Sequence, residues 1–136
     1  MDIKNNEVGK INTSQYSSAL NSLLSANKLN LLESCSYSGL GGIAAALSKM
    51  CFKNSIGFFI KPIKKDLLFC ENLSLIAEVK QKNSSGFEGL LKSAGVVYEK
   101  IGTTNETNKI VFANHIDTEI NITKNIWQNS LRERLQ

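Results

Sequence analysis

The sequence predicts an α+β fold, an α/β sandwich in which helices pack on a mixed sheet. Three observations predict it. Segments with apolar residues at helical spacing are interleaved with short apolar or β-branched runs, in the order α, β, loop, α, β, turn, β, α, β, β, β, α. The chain has 136 residues, enough for one hydrophobic core and too few for two domains of ordinary size. Its hydrophobic fraction is 42% and its charged fraction 21%, so a disordered, collagen-like or coiled-coil chain is excluded on composition.

Residues 1–13 are polar and read as a lead-in, with residues 14–136 forming a single domain. Thr13 or Ser14 can cap a helix whose Tyr16, Ala19, Leu20, Leu23 and Leu24 share a face, and Asn27 can end it. Leu29–Cys35 is short and apolar and reads as a buried strand. A small-residue loop follows, Ser36-Tyr37-Ser38-Gly39-Leu40-Gly41-Gly42. Ile43–Phe52 is alanine-rich, which favours helix, and Lys49 and Lys53 lie where cations suit the C-terminal end of the helix dipole.

Ile56–Ile60 reads as a strand broken by Pro62, and residues 66–69 as a helical turn. Leu73–Val79 alternates as a strand does. Ser84 or Ser85 can cap a helix to Ser93 that Ala94-Gly95 ends. Val96–Ile101 is β-branched and is expected to be a strand ended by Gly102, with a polar turn over residues 103–109. Residues 110–113 and 119–122 are expected as short strands. Thr123 is expected to cap a last helix that packs Ile126, Trp127, Leu131 and Leu135 on the sheet.

Composition narrows the function. No segment reaches the roughly 20 apolar residues of a membrane span, and the start of the chain lacks the apolar core of a signal peptide. A cytoplasmic protein without membrane association is expected. Cys35, Cys51 and Cys70 are odd in number and form no C-x-x-C pair, so buried, reduced thiols are expected rather than disulfides or zinc. With His115 as the one histidine, a metal centre or a Ser/His/Asp relay has little to build on, and no catalytic or metal-ligating residue is assigned. The net charge is +4, but 14 of the 16 basic residues are Lys and only Arg132 and Arg134 are Arg. Nucleic-acid readers rely on Arg for bidentate contacts, so no nucleic-acid partner is expected. The cluster Lys61, Lys64 and Lys65 reads as a solvated basic loop.

The candidate site is the loop before the alanine-rich helix. Unpaired N–H groups at a helix N-terminus favour an anion, and glycine lets one approach the backbone. A phosphate or carboxylate at Gly41 and Gly42 is chemically reasonable, with Ser36 and Gly39 beside them. Neither a P-loop nor G-x-G-x-x-G spacing is present, and a tight strand-to-helix connection is the plainer alternative. Read from the residues alone, Glu71 is a solvated carboxylate on a turn.

The runs SCSYSGLGGIAAALSKMCFKNSIGFFI, LLFCENLSLIAEV and FEGLLKSAGVVYEKIGTT occur in one order and spacing. In this they resemble the C-terminal domain of the aminoimidazole ribonucleotide synthetase superfamily, most nearly the last domain of phosphoribosylformylglycinamidine synthase. The resemblance runs from about Gln15 to Leu135. Gly41 and Gly42 match a Gly-Gly in the family's Asp-x-Ser-Asp-Gly-Gly-Leu loop, Ile43–Met50 match the following helix, and Leu68, Phe69 and Glu71 match Leu-Phe-x-Glu. The loop's two aspartates fall on Tyr37 and Leu40, and its serine on Gly39. Tyr and Leu cannot ligate Mg²⁺ as Asp does.

The resemblance implies a piece of an ATP-dependent C–N ligase of purine biosynthesis that converts an amide to an amidine. The complete enzyme uses ATP and Mg²⁺, and none is expected on this chain alone. The implied partners are an N-terminal synthetase domain or subunit and a glutaminase, and a homo-oligomer is compatible with it. Ser36, Gly39, Gly41, Gly42 and Glu71 are the implied substrate- or phosphate-binding residues. The isolated chain is expected to be inactive. The alternative is a non-catalytic assembly or regulatory relative that has lost the loop aspartates. Thiamine-monophosphate kinase and selenophosphate synthetase, sister enzymes, fit the LLFCEN run and the last helix less well.

Overall fold

The computed structural model describes residues 12–130. Its elements are α1 (Thr13–Lys28), β1 (Leu32–Tyr37), α2 (Gly42–Cys51), β2 (Gly57–Ile60), α3 (Lys65–Leu68), β3 (Leu75–Val79), α4 (Ser84–Ser93), β4 (Gly102–Asn105), β5 (Lys109–Phe112), β6 (Ile116–Glu119) and α5 (Ile120–Asn129). The chain divides into two compact units. Among the described residues one comprises residues 12–33 and 78–98, the other residues 34–77 and 99–130. β1 and β3 form a two-stranded sheet.

In the first unit α1 packs on α4. Ser22 and Ala26 are one turn apart on α1 and are its buried residues, while Leu91 is the buried residue of α4. Small side chains at this spacing bring a helix surface close to its neighbour. The Ser22 hydroxyl donates to Ser18 O at 2.8 Å, which satisfies it inside the helix. Asn12 caps α1 by accepting from the Gln15 N–H at 3.1 Å, one residue before the expected Thr13 or Ser14.

The second unit holds the main core. Its sheet has the order β4-β2-β5-β6, with β2 antiparallel to β4, parallel to β5, and β5 antiparallel to β6. This is the mixed sheet with helices on it that the sequence predicts, an α+β arrangement. Phe58 and Ile60 of β2 are buried while Phe59 between them is exposed, and Ile110 and Phe112 of β5 are likewise buried. The buried set meets Ala44 and Cys51 of α2, Leu68 of α3 and Ile120 of α5 in one cluster. Phe58 and Phe112 pack edge to face, ring centroids 5.0 Å apart.

Several expectations shift. The strand expected over 29–35 is β1 at Leu32–Tyr37, because Leu29 caps α1 and Asn30 turns the chain with φ 53°. The strand expected over 96–101 does not form, and the strand begins where that one was to end, at Gly102. A Cβ at Gly102 would collide with the Phe59 carbonyl, so only glycine lets β4 approach β2 at the register Ile60↔Gly102. Residues 120–122 belong to α5 rather than a strand, and α5 starts after Glu119 without a side-chain cap, not at Thr123.

Ile120 is the buried residue of α5. Ile126 is exposed, and Trp127 is 58% exposed with its ring 5.8 Å from Phe52, so neither lies flat on the sheet as expected. Lys124 instead ties α5 to α2, donating to the Phe52 carbonyl at 3.0 Å, at the negative end of the α2 dipole. Leu131, Leu135, Arg132 and Arg134 lie outside the described residues, as does the lead-in before residue 12. Cys51 is buried, but Cys35 and Cys70 are exposed: on a strand with one wet face and in a connecting loop, neither reaches the core. No helix among the described residues is long and apolar enough to cross a membrane.

Candidate functional site

The glycine loop lies wholly in the second unit, between β1 and α2. Gly41 and Gly42 both have positive φ, 81° and 65°, which reverses the chain from strand to helix in two residues. Gly42 N–H donates to Gly39 O at 2.9 Å and closes the turn. Gly42 is also forced by packing, since a Cβ there would sit 2.7 Å from the Leu68 carbonyl oxygen and the Phe69 carbonyl carbon.

Glu71 reaches this loop from thirty residues away. Its Oε1 accepts from the Gly41 N–H at 3.0 Å. The first turn of α2 has no acidic residue, so Glu71 supplies the anion that the positive end of the helix dipole favours. The structure thus brings together Gly39, Gly41, Gly42 and Glu71 from the five sequence-predicted residues. Ser36 is not among them: it lies in β1, and its hydroxyl makes only a 3.5 Å contact to its neighbour, Tyr37 O.

Ser38, which the sequence does not mark out as a site residue, is the best-integrated residue of the loop. It is buried, its N–H donates to Ser74 O at 2.8 Å, its hydroxyl accepts from the Ser74 N–H at 2.9 Å and donates to Asn72 O. Its signal was weak: one serine among polar neighbours, distinguishable only by noting that a hydroxyl in a turn can replace a backbone partner. Together these ties fasten residues 38–42 to residues 68–74.

Tyr37 and Leu40 are 62% and 83% exposed. Their side chains offer no carboxylate, and the Glu71 carboxylate, which does reach the loop, is engaged with Gly41. Among the described residues no group of three or more His, Cys, Asp or Glu could hold a metal ion. The loop of this chain does not fit Mg²⁺. His115 is likewise engaged structurally, its Nε2 2.8 Å from Ile63 O. Lys61 pairs with Glu99 at 2.6 Å, and that ammonium holds the Glu99 carboxyl below its ordinary pKa by hydrogen bond and charge.

No family model matches this chain. It is 38% identical over 60% of its length to the phosphoribosylformylglycinamidine synthase subunit PurL of Sulfurimonas denitrificans, covering 11% of that protein. It is 33% identical over 79% of its length to the PurL subunit of Campylobacter concisus, covering 14% of it. The chain is homologous to one segment of PurL. It spans between a tenth and a seventh of the length of these curated relatives. Its fold matches the PurLQS structure from Thermotoga maritima with a TM-score of 0.70 at 13% identity, over 84% of this chain and 22% of that one. It also matches T. maritima PurL complexed with ATP, with a TM-score of 0.62 at 15% identity, over 77% of this chain and 21% of that one. The fold and the resemblance expected from the sequence therefore both hold.

Proposed function

We propose that this chain forms one wall of the working cleft of a phosphoribosylformylglycinamidine synthase and acts only with the rest of the synthetase. The observation that carries this reading is the sequence similarity to PurL subunits over most of the chain. The matching fold supports it. In the whole enzyme ATP phosphorylates the amide oxygen of a formylglycinamide ribonucleotide. Ammonia from a glutaminase then displaces the phosphate and leaves the amidine. ATP and Mg²⁺ are held by residues outside this chain, and the reaction is cytoplasmic.

The chain's own contribution is the fastened loop, with Gly39, Gly41, Gly42 and Glu71 as its substrate- or phosphate-facing residues, while Ser36 lies outside it in β1. The Gly41 N–H is the group that would meet an anion, and only when Glu71 releases it. The Gly42 N–H stays with Gly39 O, because that bond closes the turn. A second reading, a non-catalytic assembly or regulatory module of the same family, is favoured by Tyr37 and Leu40 at the aspartate positions and by the Glu71 contact.

Reconstitution separates the two. The Campylobacter concisus subunit lacking the segment this chain matches is mixed with the chain, ammonia, ATP and formylglycinamide ribonucleotide. The catalytic reading expects ATP-dependent amidine formation in the mixture and none with either part alone. A complex without turnover supports the non-catalytic reading. No complex and no turnover overturns both.

A further inference from the structure

We draw no further inference here: the strongest candidate, the exposed apolar patch of α5 formed by Ile122, Ile126 and Trp127, carries nothing because nothing in the structure shows what covers it.

Discussion

Replacing Gly42 with alanine tests whether the loop is fastened as described. Two costs combine. A non-glycine residue at φ 65° lies in the left-handed region, which costs about 1–2 kcal/mol. The new Cβ also lies 2.7 Å from Leu68 O and Phe69 C and 2.9 Å from Phe69 Cα, all backbone atoms that cannot rotate away. Forcing an extra methyl into such packing costs about 1–3 kcal/mol. Together the substitution should remove about 2–5 kcal/mol, a large share of the roughly 5–15 kcal/mol that folds a domain. In urea, with a slope of about 2 kcal/mol/M, the midpoint should fall by about 1–2.5 M at unchanged slope. Gly86→Ala is the matched control. A Cβ there meets nothing within 4 Å, and Gly86 lies inside α4 at an ordinary φ. It should raise stability by about 0.5–1 kcal/mol. A Gly42→Ala midpoint within about 0.2 M of wild type would refute the packing of α2 against the end of α3.

Other outcomes follow from the same contacts. Ser38→Ala removes a buried hydroxyl that bridges Asn72 and Ser74, and should cost about 1–3 kcal/mol by chemical denaturation. Glu71→Gln keeps the shape but removes the charge at the start of α2. It should lower stability by about 0.3–1 kcal/mol at low salt, with the difference shrinking as salt is added. In Lys61→Ala the carboxyl of Glu99 should return upward to its ordinary pKa, read by NMR titration of the side chain. Because the folded pKa of Glu99 is depressed, the stabilisation from this pair is present above the unfolded-state pKa. It is lost as pH falls through the folded value. At this exposure the effect on global stability should be too small to register in a melt.

The order of elements was legible in the sequence because most of them bury one periodic face. The alanine-rich run became α2, the Phe58 and Ile60 alternation became β2, and Gly95 ended α4 with φ 66°. The failures share a cause. Val96–Ile101 looked like a strand by propensity, yet pairing depends on what a segment can approach, and the polar Gly102–Asn105 fits against β2 because Gly102 has no side chain. Residues 120–122 looked extended for their isoleucines, but only Ile120 is buried while Ile122 is exposed, the pattern of a helix meeting the core on one side. In the site, the glycines were readable as a reversal of the chain. Glu71 and Gly41 are thirty residues apart, and nothing local links them; the resemblance to a known loop was what placed Glu71 beside it. Ser36 and Ser38 would share a face by the two-residue period of a strand, but β1 ends at Tyr37, and only Ser38, just past that end, is buried.

The central claim is that residues 38–42, fastened to residues 68–74, form a wall that acts only with the rest of a synthetase. Amide chemical shifts of the ¹⁵N-labelled chain, recorded while the Campylobacter concisus subunit lacking the matching segment is added, test it most directly. The account predicts that the Leu40, Gly41, Phe69 and Leu73 amides shift or broaden first, with those of α4 unaffected. Changes confined to other elements, or none at saturating subunit, would contradict it.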